Sequence, residues 1–223
     1  MSRSSSDGPA APLLAGSHRP AILRFAIVAL LLLGADLFIK YEAFQHVAGE
    51  PFTIVRDDLG RMEAIPPHPI RTVVPKVLGL HLTVNHGAVF GLGQGRRWIF
   101  VGFSVIAGVV IPWIFARSLR RDWIHHMALA AVLGGAFGNL YDRIFHGGVR
   151  DMFLLFPGVH LPFGWKWPGG NPELYPWIFN FADVCLVVGL GWIMVRIYRG
   201  ERVDADADES ETGAPSRPAT PSA

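Results

Sequence analysis

The sequence predicts a mainly α, polytopic membrane protein with four transmembrane helices and a small extracytoplasmic β-rich cradle and loop. Three observations carry that prediction. Of 223 residues, 51% are hydrophobic and only 17% are charged, a balance unusual for a soluble domain and ordinary for a small membrane protein. Four apolar runs, 21–39, 98–116, 124–141 and 178–198, each approach the roughly 20 helical residues that cross a ~30 Å hydrocarbon core. Arginines gather at alternate ends of these runs, as the positive-inside rule requires of a four-span chain.

Residues 1–19 are rich in Ser, Pro, Ala and Gly, too poor in apolar area to order themselves, and are read as a disordered cytoplasmic tail. The first run resembles a secretory signal, with Ile27–Leu33 as its apolar stretch. Asp36 and Lys40 close it without a small-residue cleavage site, and three further spans follow, so it is read as a retained helix. In the outer segment 40–97, Pro66-Pro67-His68-Pro69 breaks any helix. Thr72-Val73-Val74 and Leu78–Val84 are expected as short strands from their β-branched content and alternation. The second and third runs are joined by a link carrying Arg117, Arg120 and Arg121.

The outer segment 142–177 holds Pro157, Pro162, Pro168, Pro172 and Pro176 with Trp165, Trp167 and Trp177. Tryptophan favours the membrane–water interface, so this loop is expected on the outer headgroup layer. Arg196, Arg199 and Arg202 follow the fourth run, and 200–223 reads as a disordered acidic cytoplasmic tail. The membrane domain is thus 20–199. Arg19 and Arg24 share a side with the other arginine groups, which puts both termini in the cytoplasm. No internal repeat of the kind many transporters carry is visible.

Net charge is +2 and the basic residues are dispersed, so nothing suggests a nucleic-acid partner. The single cysteine, Cys185, excludes an intramolecular disulfide and a thiolate cluster, and reads as packing. His81 with His86, and His125 with His126, the latter pair placed at a cytoplasmic interface, lack metal-ligand spacing. Ser104 and Cys185 have no adjacent base to activate them as nucleophiles.

Four polar clusters converge on the outer membrane boundary. Asp36 and Lys40 are one helical turn apart and, taken alone, read as an interfacial ion pair. Thr83–Gly91 contains Asn85, Gly87 and Ala88 in what is by default a hairpin turn. In 134–143, Gly134 and Gly138 form a small-xxx-small surface for close helix packing, followed by Asn139, Asp142 and Arg143. Packing explains the glycines but not the polar residues. Asn180 and Asp183 are i and i+3 on the fourth helix. Asp151 and Asp183 are carboxylates where a membrane protein avoids charge, and two such groups on one face can share a proton and work as base and acid.

Five ordered motifs resemble those of lipoprotein signal peptidases (signal peptidase II), bacterial intramembrane aspartic peptidases. They are Asp36-x-x-x-Lys40, Asn85-x-Gly87-Ala88-x-Phe90-Gly91, Gly134-Gly135-Ala136-x-Gly138-Asn139-Leu140-x-Asp142-Arg143, Val149-x-Asp151-Met152-Phe153 and Phe179-Asn180-x-Ala182-Asp183. The resemblance spans about 22–198. It implies that Asp151 and Asp183 are the catalytic pair. It also implies that Asp36, Lys40, Asn85, Gly87, Ala88, Asn139, Asp142, Arg143, Asn180 and Ala182 shape the site or bind substrate. The family removes signal peptides from diacylglyceryl-modified prolipoproteins, cutting before the lipidated cysteine, with no cofactor and no metal. The expected partners are those precursors and membrane lipid, with the chain itself a monomer. The expected location is the bacterial cytoplasmic (inner) membrane, multi-pass, with the active site at the outer face. Two departures stand out. Leu37 follows the first aspartate where the family commonly has Gln, and the outer segments 42–77 and 154–177 are longer than usual.

Two other classes compete. A proton- or cation-coupled transporter would use Asp36, Asp151 and Asp183 as a relay, yet these collect at one side instead of spreading through membrane depth. A non-catalytic assembly factor would use the aspartates as structural bonds.

Overall fold

The computed structural model describes residues 13–52, 54, 65–87 and 97–200. Four helices form the frame: α1 (Arg19–His46), α2 (Arg97–Arg117), α3 (Trp123–Phe145) and α4 (Phe181–Tyr198). Four strands, β1 (Arg71–Val74), β2 (Leu78–Asn85), β3 (Val149–Leu155) and β4 (Ile178–Phe179), make one antiparallel sheet in sequence order. The apolar runs therefore became helices as expected, except that the start of the fourth, Ile178–Phe179, is β4 and its helix begins at Phe181; the two expected strands are β1 and β2.

By length and composition, α1, α2 and α4 suffice to cross a membrane. α3 is 23 residues long but is built differently. Thirteen of its residues are buried, including His125, His126, Asn139 and Asp142. It is the central helix, packed by the other three, so it meets protein on most sides and can carry polar groups that a lipid-facing helix cannot. The histidine pair expected at an interface is for this reason buried: His125 is 3% exposed and His126 0%.

Close approach to α3 is made possible by missing side chains. A Cβ at Gly134 would lie 2.9 Å from the Ala29 carbonyl oxygen of α1, and one at Gly135 would lie 2.6 Å from the Ala182 carbonyl oxygen of α4. A Cβ at Gly138 would overlap the Asp36 carboxylate. The small-xxx-small surface thus serves α1 through Gly134 and Gly138, with Gly135 set against α4. Away from the sheet, Phe25, Ala29, Ile111, Phe115, Leu129 and Leu133 form one apolar cluster. A second, with Phe44, Phe52, Leu82 and Met152, joins the end of α1 to the sheet. The polar site lies between the two.

Three elements differ from expectation. Leu13–His18 pack against the α2–α3 link: Leu14 bridges Leu119, and Ala15 N–H donates to Ser118 O at 2.9 Å. The stretch read as a tail through residue 19 is therefore part of the packed unit from Leu13. α1 runs on to His46, seven residues past the apolar run. β3 was not expected as a strand, because five of its seven residues are buried and it lacks the alternation of a strand with one wet face. Its register against β2 slips between Leu80 and Thr83, so that Thr83 sits opposite Asp151. Such an irregularity re-aims side chains and is common beside active sites.

Within it, the Leu82 N–H leaves the ladder and donates to His68 Nε2 at 2.9 Å, while His68 Nδ1 lies 2.8 Å from the Pro66 carbonyl oxygen.

Replacing Gly135 with Ala should lower unfolding stability by about 1–3 kcal/mol, because a backbone carbonyl cannot yield to the added methyl. Gly34→Ala is the control, since no atom lies within 4 Å of that Cβ, and it should change stability little. Unfolding of the two purified variants in detergent micelles measures the contrast.

Candidate active site

The site is built where the C-terminal turns of α1 and α3, the start of α4 and the middle of β3 meet. Its centre is Lys40, whose ammonium is fully buried. Nζ lies 2.7 Å from Asp36 Oδ2 and 3.2 Å from Asp142 Oδ2, and donates to Asn139 Oδ1 at 3.0 Å. Asp36, Lys40 and Asp142 are each 0% exposed, so this is a buried charge cluster and not the interfacial pair that the i,i+4 spacing alone suggested. Removing one member of such a cluster strands its partners in a medium of low polarity.

Each aspartate of the cluster also holds a backbone. Asp36 Oδ1 accepts from Ala182 N–H at 2.8 Å, satisfying a first-turn donor of α4 that the helix cannot satisfy itself. Asp142 accepts from Arg150 N–H at 2.9 Å and is gripped by the Arg150 guanidinium at 3.1 Å and 2.8 Å. That grip fixes the start of β3 on α3, one residue before Asp151. Arg150 is 8% exposed and was not among the expected site residues. Its only signal in the sequence was a basic residue next to an aspartate in an apolar stretch.

Asn180 and Asp183 form a reciprocal cap. Asn180 Oδ1 accepts from Asp183 N–H at 3.1 Å, and Asp183 Oδ2 accepts from Asn180 N–H at 3.1 Å. Asn180 is thus the residue before α4 and not on its face. Its amide has further duties, donating to Asp151 Oδ1 at 2.6 Å and to Asn139 Oδ1 at 3.2 Å. Asn139 in turn donates from Nδ2 to Asp183 Oδ1 at 2.9 Å. The two asparagines therefore tie both carboxylates of the expected pair to each other and to Lys40.

The two carboxylates sit in unlike surroundings. Asp151 is 1% exposed and Asp183 is half-buried. Burial, then the neighbouring Asp183, push the Asp151 carboxyl up to about 7, against hydrogen bonds from Asn180 and Asn85 and the charge of Lys40. An upward shift works against folding: as pH rises from 3.8 towards 7 the unfolded chain gives up the proton first, so the folded state loses ground over that window. The pair therefore offers a protonated acid beside a second carboxyl that solvent can reach, which is the arrangement acid–base hydrolysis needs.

Arg143 closes one wall. It donates to Asn139 O at 3.2 Å and Gly87 O at 3.3 Å, and its guanidinium lies 4.9 Å from the Phe100 ring centre. Gly87 N–H donates to Asn85 Oδ1 at 2.9 Å, which shapes the turn after β2. Ala88, Phe90 and Gly91 lie outside the described residues. Ala182 contributes its backbone N–H. Tyr175, missed in the sequence because it lies in a proline-rich loop, packs edge-on to Phe179, and burial with the Asp183 charge raises its phenol.

The chain has relatives that show its family and its fold. The model of signal peptidase (SPase) II matches residues 28–199. The lipoprotein signal peptidase of Desulfitobacterium hafniense is 35% identical over 130 residues, 58% of this chain and 75% of that protein. The lipoprotein signal peptidase of Halalkalibacterium halodurans is 32% identical over 178 residues, 80% of this chain and 94% of that one. Two solved bacterial membrane enzymes share the fold. One has a TM-score of 0.59 at 20% identity over 87% of this chain and 96% of its own. The other has 0.56 at 21% over 79% and 93%. With a family model covering most of the chain and these relatives beside it, the chain belongs to the signal peptidase II family and is a protease of the bacterial membrane.

Proposed function

We propose that this chain removes signal peptides from diacylglyceryl-modified prolipoproteins, cutting before the lipidated cysteine, with Asp151 and Asp183 as an aspartic dyad. The observation that carries the reading is the Asn180–Asn139 bridge, which holds two carboxyls of unlike environment at one site. Asp151, protonated up to about 7, is the acid that donates to the scissile carbonyl. Asp183, on the more open side, takes a proton from the attacking water. A carbonyl made more electrophilic thus meets a water made more nucleophilic. As the C–N bond then breaks, Asp183 passes its gained proton to the leaving amine and Asp151 takes one back from the intermediate's hydroxyl, which restores the pair. Asn85 and Asn139 carry N–H donors suited to orient the peptide or the developing oxyanion, whereas Asn180, whose amide already donates to Asp151 and Asn139, positions the dyad. The transporter reading has no support from the family or from the fold.

The dyad lies at the end of the bundle opposite the arginine groups at 19–24, 117–121 and 196–199. By the positive-inside rule that end faces outward, with the described ends of the chain inside. A precursor anchored in the same bilayer then presents its cleavage site at the depth of the dyad, with its acyl chains left in lipid.

Asp151→Asn and Asp183→Asn should each cut cleavage of a diacylglyceryl-modified precursor by about 10²–10⁴-fold while leaving precursor binding and unfolding temperature near the parent. Activity within tenfold of the parent in either purified variant would sink the dyad. In the same assay, turnover of the parent should fall as pH rises through about 7, where Asp151 loses the proton it donates. A rate still climbing above that range contradicts Asp151 as the acid. For sidedness, single cysteines in a Cys185→Ala background should resist an impermeant thiol reagent at Arg120 and react at His68 in intact cells. The reverse pattern would put the dyad on the cytoplasmic face and remove the proposed substrate.

A further inference from the structure

The segment between β3 and β4 folds back on itself as a hairpin. His160 bridges Glu173, Leu161 N–H donates to Pro172 O at 2.8 Å, and Leu174 N–H donates to Val159 O at 2.7 Å. Trp167 anchors it from inside: its indole N–H donates to Glu173 O at 3.0 Å, and its ring meets Trp177 edge-on at 4.7 Å. Trp177 in turn meets Tyr175, and Tyr175 meets Phe179, the residue before Asn180. The three tryptophans expected at the interface thus divide. Two are half-buried staples of the hairpin, and Trp165 points out of it.

On the first arm, Pro162–Gly164 make a 3-10 turn in which Phe163 has φ 58 and Gly164 φ 72. Phenylalanine rarely adopts the left-handed region, and such a residue persists only where its surroundings hold it there. Here the result is a Phe163 side chain 91% exposed, beside a Trp165 that is 67% exposed, with the ring centres 6.2 Å apart. From Gly158 to Asn171 the sequence has no carboxylate, and Lys166 adjoins Trp165. Two aromatic rings with a lysine beside them and no acidic residue match the chemistry of a lipid headgroup layer, where the rings meet the acyl boundary and the ammonium meets phosphate. Both rings stand exposed to their surroundings, and a peptide would seek a concave surface.

The geometry points to a membrane-seated foot: Phe163, Trp165 and Lys166 insert into the leaflet nearest the dyad, continuing the lipid-facing surface of the helices. This rests on the reading of the bundle as membrane-spanning. Through Trp167, Trp177 and Tyr175 the seated foot fixes the height of the loop over Phe179 and the dyad, so the leaflet itself becomes one wall of the substrate's approach.

The test uses the full chain with Cys185→Ala and Phe163→Cys, labelled with an environment-sensitive fluorophore in phosphatidylcholine–phosphatidylglycerol nanodiscs. A second protein carries Trp165→Cys, and a label at Val109, exposed mid-way along α2, marks the deep position. Labels at 163 and 165 should show blue-shifted emission, loss of intensity with lipids bearing a shallow nitroxide, and little loss with aqueous iodide. Iodide quenching without nitroxide quenching would overturn the foot and leave a solvated loop. Protection from both quenchers would overturn it in favour of a protein partner, such as a second copy. Because nothing here reads cleavage, an inactive enzyme would bear on the dyad and not on the foot.

Discussion

One buried ammonium organises the end of this bundle. Lys40 touches Asp36, Asp142 and Asn139, and each of these fixes a different part of the chain. Asp36 holds the first turn of α4 through Ala182, Asp142 holds the start of β3 through Arg150, and Asn139 holds Asp183. Two carboxylates flank one ammonium, so the cluster would carry excess negative charge without Arg150, which grips Asp142 from the other side. The cluster is therefore better balanced than the Asp36–Lys40 spacing implies. The cost of burying these charges is large, and what it yields is a fixed relation between three helices and a strand.

That fixed relation is what the proposed dyad requires. Asp151 and Asp183 come from a strand and a helix far apart in sequence, yet both bond to Asn180, and Asp183 also accepts from Asn139. Asn180 serves as helix cap, as donor to Asp151 and as link to Asn139. A shift of α4 relative to β3 would therefore break the Asn180–Asp151 bond and separate the carboxyls together. Hydrogen bonds shared in this way hold the two carboxyls without loose side chains to reorganise.

Much of this was legible in the sequence, for physical reasons that differ by element. α1, α2 and α4 are visible because a lipid-facing helix must be apolar over its length. α3 is visible as a run, but its polar residues only make sense once it is central and sheltered. β1 and β2 are visible from their β-branched residues and the run Leu78-Gly79-Leu80-His81-Leu82, although β1 is exposed throughout; β3 is mostly buried, so its pattern Val-Arg-Asp-Met-Phe-Leu-Leu carries no period of two. Gly134 and Gly138 announced a close helix contact, whereas only the packing shows that Gly138 makes room for the Asp36 carboxylate. The polar residues of the site were found by their cost in a membrane. Arg150, one residue from Asp151, was passed over because a lone arginine near a helix end has an ordinary explanation. The order of Leu13–His18 had no local signal, since those residues are held by backbone bonds to the α2–α3 link.

If Lys40 is the keystone, its loss should be felt in both fold and chemistry. The most direct measurement is the unfolding free energy and the cleavage rate of Lys40→Met, compared with the parent in the same micelle or nanodisc. Loss of the ammonium leaves Asp36 uncompensated and Asp142 with Arg150 alone. Stability should fall by about 3–5 kcal/mol and turnover should drop with it as Asn139 loses its anchor. A methionine variant that unfolds like the parent and cleaves at the parent's rate would contradict the account at its centre.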